Sequence, residues 1–416
     1  MKRFLKEPVV QGSILLLILF NLYNILNFGF HFAMARLLDV ASYGLLATLF
    51  SFIYIFGLFS ESIQNIVARF AAQETKNGKL HDALKRGLVR ALQLSCLVYI
   101  AFLIFSYTYL SNLLSIPFPF LAYTGLFIFS SFTLPITRGI LQGTKQFLAL
   151  GKNLLMESGI KVILAIILVV LFASSSLKLV GALSAVFVGV GMAFLYAWYI
   201  QLKKIRLTKR KEADIPHIKS YSLSVFVGTF VITLFLMMDI LLVKALFSPE
   251  VTGAYALASL AAKTLFWGTQ PISKALFPLT AQQPNKQQLL KAGGILLGLI
   301  IIALVIFKTL PAFVIYVLSG KEVLLAQEIL FPLGIAVSLI CLANLLLLYT
   351  VSFSTLSHTS WRMLLSFLSL LLPFLIIPVL AFYTEITLQE FTWLFVAFSF
   401  LLCAIATFFA FNASHK

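Results

Sequence analysis

KKIRLTKRKEADIPHIK, residues 203–219, is the most polar stretch of a 416-residue chain that is 61% hydrophobic and 11% charged. Its position decides the architecture, because apolar segments flank it in equal number. A helix needs about 20 apolar residues to cross about 30 Å of hydrocarbon. Runs of that kind begin near residues 11, 43, 87, 117, 147 and 177 before the polar stretch, and near 220, 251, 291, 323, 362 and 387 after it. The reading is an all-α polytopic membrane protein of about twelve transmembrane helices. It has an N-terminal six-helix lobe (1–202), a basic cytoplasmic linker (203–219) and a C-terminal six-helix lobe (220–416). An even number of spans per lobe makes both lobes start from the same side. The repeat is then parallel, with a pseudo-two-fold along the membrane normal, and such transporters bind substrate between their halves. An offset of 209 residues gives modest support, matching Leu37, Gly44, Ala47, Ile63, Ala72 and Gln73 with Leu246, Gly253, Ala256, Ile272, Ala281 and Gln282.

Charge orients this frame. Of 31 Lys and Arg residues, 24 lie in the two tails or on every second connection, Arg138, Lys145 and Lys152 among them, and five lie on the alternate connections. Those five are Arg36, Lys178, Lys244, Lys308 and Lys321. Basic residues beside a span stay on the cytoplasmic side, so both termini are expected inside, in the cytoplasmic (inner) membrane, with only short connections outside. A mean hydropathy of +1.02 leaves too little polar surface for a soluble domain of this size. The net charge of +17 therefore reads as contact with anionic lipid headgroups. Nucleic acid is not an expected partner, since no basic stripe is interleaved with exposed aromatics. Cys96, Cys341 and Cys403 sit in apolar runs without ligand spacing and read as small core hydrophobes. The basic start followed by a run long enough to span reads as an uncleaved first helix. No cofactor and no metal site are expected.

Charge is costly inside a bilayer, so ionisable residues within spans are the functional candidates. On the eighth span Lys263, Trp267, Gln270 and Lys274 share one helical face, a cationic strip suited to an anionic headgroup. The alternative for Lys263 is an ion pair with an acidic neighbour. The second span carries Glu61, Gln64 and Asn65 with Arg69 at its inner end, and Glu61 is a possible partner for Lys263. On the first span Asn24 and His31 belong to a polar stripe with Asn21 and Asn27, explained equally by interhelical hydrogen bonds or a wet cavity. His31 lacks companions at metal-ligand spacing. Glu157 and Lys161, four residues apart, are expected to neutralise each other along one helix. Two readings fit Asp239 in FLMMDILLV: an H+ or Na+ site for ion coupling, or an ion pair with another helix. Pro271 and Pro278 are expected to bend or end the eighth span, and Pro373 and Pro378 the eleventh.

ARLLDVASYGLLATL (35–49) and IVARFAAQE (66–74) resemble the first outer turn and the end of the second span in bacterial polysaccharide / O-antigen flippases, members of the multidrug/oligosaccharidyl-lipid/polysaccharide exporter superfamily. MMDILLVKALFSPEVTGAYALASL (237–260) and KALFPLTAQ (274–282) are similar to that family's seventh-to-eighth-span segment. Lys244, Phe247 and Lys263 have no clear counterpart in the family pattern. The resemblance implies a flippase, not an enzyme, that moves an undecaprenyl-pyrophosphate-linked oligosaccharide to the outer leaflet by alternating access. Its implied partners are lipid-linked oligosaccharide, membrane lipids, H+ or Na+, and polysaccharide polymerase machinery. An ion-coupled multidrug exporter of the same superfold is the alternative, and it should carry a more acidic cavity. A membrane glycan polymerase or ligase is a further one, disfavoured because no nucleophile–base constellation or phosphate-binding glycine motif appears.

Overall fold

The computed structural model describes residues 8–73, 77–172, 174–204, 221–280, 286–353 and 386–413, with side chains for 18–72, 84–172, 174–201, 230–273, 287–350 and 386–411. Every regular element among them is helical, as hydrocarbon demands of a backbone that must satisfy its own polar groups. The main helices of the first half are α1 (Pro8–Leu37), α2 (Val40–Gln73), α3 (Asn77–Phe105), α4 (Phe118–Gly125), α5 (Phe127–Gly143), α6 (Phe147–Leu171) and α7 (Ser175–Lys204). A π-helical stretch, Ser106–Leu110, continues α3. There follow α8 (Tyr221–Leu246), α9 (Pro249–Thr280), α10 (Lys286–Thr309), α11 (Pro311–Ser319), α12 (Leu324–Phe353) and α13 (Leu388–Ala413). Nine helical segments among the described residues are long and apolar enough to cross a membrane, and the chain is a multi-pass membrane protein. The apolar run expected near residue 362, with Pro373 and Pro378, lies outside the described residues, as does nearly all of 203–219.

Short polar caps set the helix starts. The Asp39 carboxylate accepts the Ser42 amide at 2.9 Å ahead of α2. Ser248 precedes Pro249 at the start of α9 and accepts the Val251 amide at 3.4 Å, a proline position that costs no hydrogen bond. Asp39 and Ser248 are themselves 209 residues apart. Thr387 and Glu390 close a reciprocal box ahead of α13, with the Thr387 amide donating to Glu390 at 2.8 Å and the Glu390 amide to Thr387 at 3.3 Å. Pro271 and Pro278 do not end α9, which runs to Thr280.

The chain divides into two compact units, Met1–Leu38 with Phe56–Ile218 and Asp39–Ile55 with Lys219–Lys416. The first half of α2 thus groups with the second unit. Within the first unit α6 packs on α7 and α1, and α3 and α7 pack on α5. One apolar core there joins Ala71 of α2, Leu84, Leu88 and Ala91 of α3, and Ile128, Phe132, Ile136 and Ile140 of α5. In the second unit α12 is the central helix, touching α8, α9, α10, α11 and α13. Most of α12 is buried, whereas α10 is largely exposed and presents most of its Ile and Leu side chains outward, with Leu296, Ile300 and Phe307 buried. Gly44 and Gly253, matched by the 209-residue offset, meet inside this unit: a Cβ on Gly44 would lie 2.7 Å from Gly253 Cα, and one on Gly253 would lie 2.0 Å from the Val40 carbonyl oxygen. Of the cysteines, Cys341 is buried and Cys403 half-buried. Cys96 departs from the core reading and is exposed on α3, because that face of α3 carries apolar side chains outward.

Candidate functional site

Two buried polar clusters stand out, one in each unit. In the second unit Asp239 of α8 is fully buried. Lys263 Nζ donates to its Oδ1 at 2.9 Å, while Tyr255 Oη and Ser259 Oγ donate to Oδ2 at 3.1 and 3.2 Å. Tyr255, Ser259 and Lys263 repeat every four residues, so one face of α9 delivers all three donors to one carboxylate on α8. Of the two sequence readings for Asp239 the structure shows the ion pair, and the acidic neighbour of Lys263 is Asp239. Removing one partner of such a buried pair strands the other charge, at a cost of about 3–5 kcal/mol.

The first unit holds a cluster that sequence reasoning saw only in part, naming Glu157, Lys161 and Asn27 but not Asn153 or the part played by Arg138. On α6 Asn153, Glu157 and Lys161 also repeat every four residues. Arg138 of α5 pairs with Glu157 and donates from Nε to Asn153 Oδ1 at 2.7 Å. Asn153 in turn donates to the Ala193 carbonyl of α7 at 2.5 Å. The expected partnership of Glu157 with Lys161 is replaced, because the guanidinium takes the carboxylate. Lys161 donates instead to Asn27 Oδ1 of α1 and lies 5.0 Å from the centre of the Phe30 ring. The charge pattern assigns Arg138 to a connection, yet α5 extends to Gly143 and carries it inside the helix. The signal available in the sequence is the four-residue repeat of polar groups in an apolar segment.

The remaining candidates divide between the units. In the first unit Glu61, Asn65 and Arg69 are exposed and follow one another at four-residue steps along α2. Exposed charges in the middle of a span face water or protein rather than hydrocarbon. Gln64 is half-buried and donates to Gln142 Oε1 at 2.8 Å. Asn24 is half-buried on α1, and His31 is buried with its ring edge-on to Phe30 at 5.3 Å. In the second unit Trp267 and Gln270 are half-buried on α9, and the Lys274 side chain lies outside those described. No group of three or more metal-binding side chains occurs among the described residues.

A family model described as "Polysaccharide biosynthesis protein" matches residues 9–283. Among solved structures, the lipid II flippase MurJ in an inward closed conformation is similar with a TM-score of 0.67 and 15% identity, over 97% of this chain and 88% of that one. An inward-facing multidrug resistance MATE family transporter of the MOP superfamily gives a TM-score of 0.63 and 14% identity, over 94% and 95%. A MOP superfamily transporter from Pyrococcus furiosus, described as having a reverse polarity of its binding pocket, gives 0.53 and 14%, over 98% and 96%. No curated protein sequence gives a significant match.

Proposed function

Since this chain belongs to the polysaccharide biosynthesis protein family, we propose that it is a flippase that moves a lipid-linked, undecaprenyl-pyrophosphate oligosaccharide across the cytoplasmic membrane by alternating access, for surface polysaccharide export. The observation that carries this reading is the sign of the buried charge. Among the described residues Arg138, Lys161, Lys244 and Lys263 are buried cations, against Glu157 and Asp239 as buried carboxylates. A protein built to carry cationic drugs needs the opposite excess, because a desolvated cation is stabilised by carboxylates. A pyrophosphate headgroup is drawn to cations and amides, while its prenyl tail stays in lipid.

In this reading the headgroup is met by Arg69, Asn65, Gln64 and Glu61 on α2, by Asn24 and His31 on α1, and by Trp267, Gln270, Lys274 and Lys263 on α9. The Asp239–Lys263 pair is a latch: an ion or a headgroup that takes one partner sets the other free. An H+ or Na+ gradient resets the cycle, both termini are cytoplasmic, and the polysaccharide polymerase machinery receives the product. The test is deletion of the gene. Lipid-linked glycan accumulating on the cytoplasmic leaflet with loss of surface polysaccharide supports the flippase. Unchanged surface glycan with new sensitivity to cationic drugs overturns it in favour of a multidrug exporter.

A further inference from the structure

Helix α3 has two faces of different character. Leu84, Leu88, Ala91 and Ser95 are buried, the first three in the core shared with α5, and their spacing is that of one helical face. Arg86, Arg90, Gln93, Leu97, Ile100 and Ile104 follow one another at steps of four and three residues on the opposite face. Leu97, Ile100 and Ile104 are 68, 57 and 60% exposed, as side chains that meet acyl chains are. Arg90 and Gln93 are exposed on the same stripe. No hydrogen bond or ion pair joins either of them to another described residue.

The depth of these polar groups follows from the far end of the helix. Tyr107 and Tyr109, exposed just beyond α3, suit a membrane–water interface, where tyrosines concentrate. Arg90 stands 17 and 19 residues before them, about 26–28 Å at about 1.5 Å per residue. The hydrocarbon is about 30 Å thick, so Arg90 reaches its opposite edge, and the long stem carries the guanidinium out to the phosphates. Gln93, one turn deeper, lies at the level of the acyl ester carbonyls. Lys85, exposed, and Arg86, half-buried, stand one turn further out among the headgroups.

We propose that this stripe binds an anionic glycerophospholipid of the leaflet at the N-terminal end of α3. Arg90 grips the phosphodiester with paired N–H donors, the Gln93 carboxamide donates to an ester carbonyl, and Leu97, Ile100 and Ile104 carry an acyl chain. Charge selects the headgroup. An unpaired guanidinium is costly against hydrocarbon and is neutralised by the phosphate, whereas a zwitterionic lipid brings its own cation up to Lys85 and Arg86. Gln93 selects the glycerolipid over a prenyl pyrophosphate, which has no ester carbonyl at that depth. The site rests on the placement of α3 in the membrane and not on the flippase reading.

Native mass spectrometry of the purified full chain, titrated with dioleoylphosphatidylglycerol, measures the first binding step. Arg90→Gln should weaken it about fivefold, the factor equivalent to about 1 kcal/mol for one cation at an anionic surface, and leave binding of dioleoylphosphatidylcholine unchanged. Gln93→Leu should weaken phosphatidylglycerol by a smaller factor. Lys308→Gln, which removes an exposed cation at the end of α10, is the control for the loss of one charge. An effect of Arg90→Gln no greater than that of Lys308→Gln overturns the proposal, and so does equal weakening for phosphatidylcholine. A larger loss for undecaprenyl pyrophosphate than for phosphatidylglycerol in Arg90→Gln also overturns it, in favour of a docking site for the transported lipid. Arg90 and Gln93 are both exposed, so two independent variants read the site without disturbing the core. The deletion strain reports nothing on it, and the two proposals fail separately.

Discussion

At the scale of single residues, the Asp239 site joins strength with vulnerability. Three donors converge on a carboxylate without exposed surface, so each partner is stable only in the presence of the others. Asp239→Ala is expected to destabilise the protein by about 3–5 kcal/mol, because Lys263 is left buried and unpaired. The double change Asp239→Leu with Lys263→Met should recover most of that loss, since replacing both charges by apolar groups removes the desolvation cost as well. Denaturant unfolding of the purified protein in detergent checks both. Transport in the double variant separates the latch from a merely structural pair, for a latch is lost even where stability returns.

At the scale of elements, the turns and close contacts between helices rest on a few positions. Lys145, with φ 58°, occupies the left-handed region between α5 and α6. Lys145→Gly should therefore stabilise the protein by about 1 kcal/mol, read as a rise in Tm. Gly253 is constrained for a different reason: its Cβ would collide with a backbone carbonyl of α2, and backbone yields less readily than a side chain. Gly253→Ala is expected to cost about 1–3 kcal/mol by overpacking, again visible in Tm.

At the scale of the whole molecule, the alternation of basic and nearly neutral connections makes a topology that labelling can test. In a background without Cys96, Cys341 and Cys403, single cysteines placed in 203–219 should react with a membrane-impermeant thiol reagent only from the cytoplasmic side, and Glu322→Cys only from the opposite side. Arg69→Ala should lower glycan translocation in vesicles more than it lowers stability, because the Arg69 side chain is exposed and its removal leaves the core intact. The same loss in both measurements would mark it as structural.

The positions of most of the described helices were legible in the sequence, since each span must carry its own run of apolar side chains and bulk hydrophobicity is local. The expected starts near 43, 117, 147, 177, 220, 251, 323 and 387 fall within a few residues of Val40, Phe118, Phe147, Ser175, Tyr221, Pro249, Leu324 and Leu388. The family resemblance was legible in the motifs of both halves. The pairing of charges was not. Glu157 and Lys161 suit one another by spacing, yet Arg138 takes the carboxylate; Asp239 has no basic residue within a turn, yet Lys263, 24 positions away, supplies one. Spacing along one helix fixes only which side chains share a face. Which charge a buried group finds depends on the neighbouring helix and its depth, and the cost of an unpaired ion in a low-dielectric interior lets tertiary packing decide it.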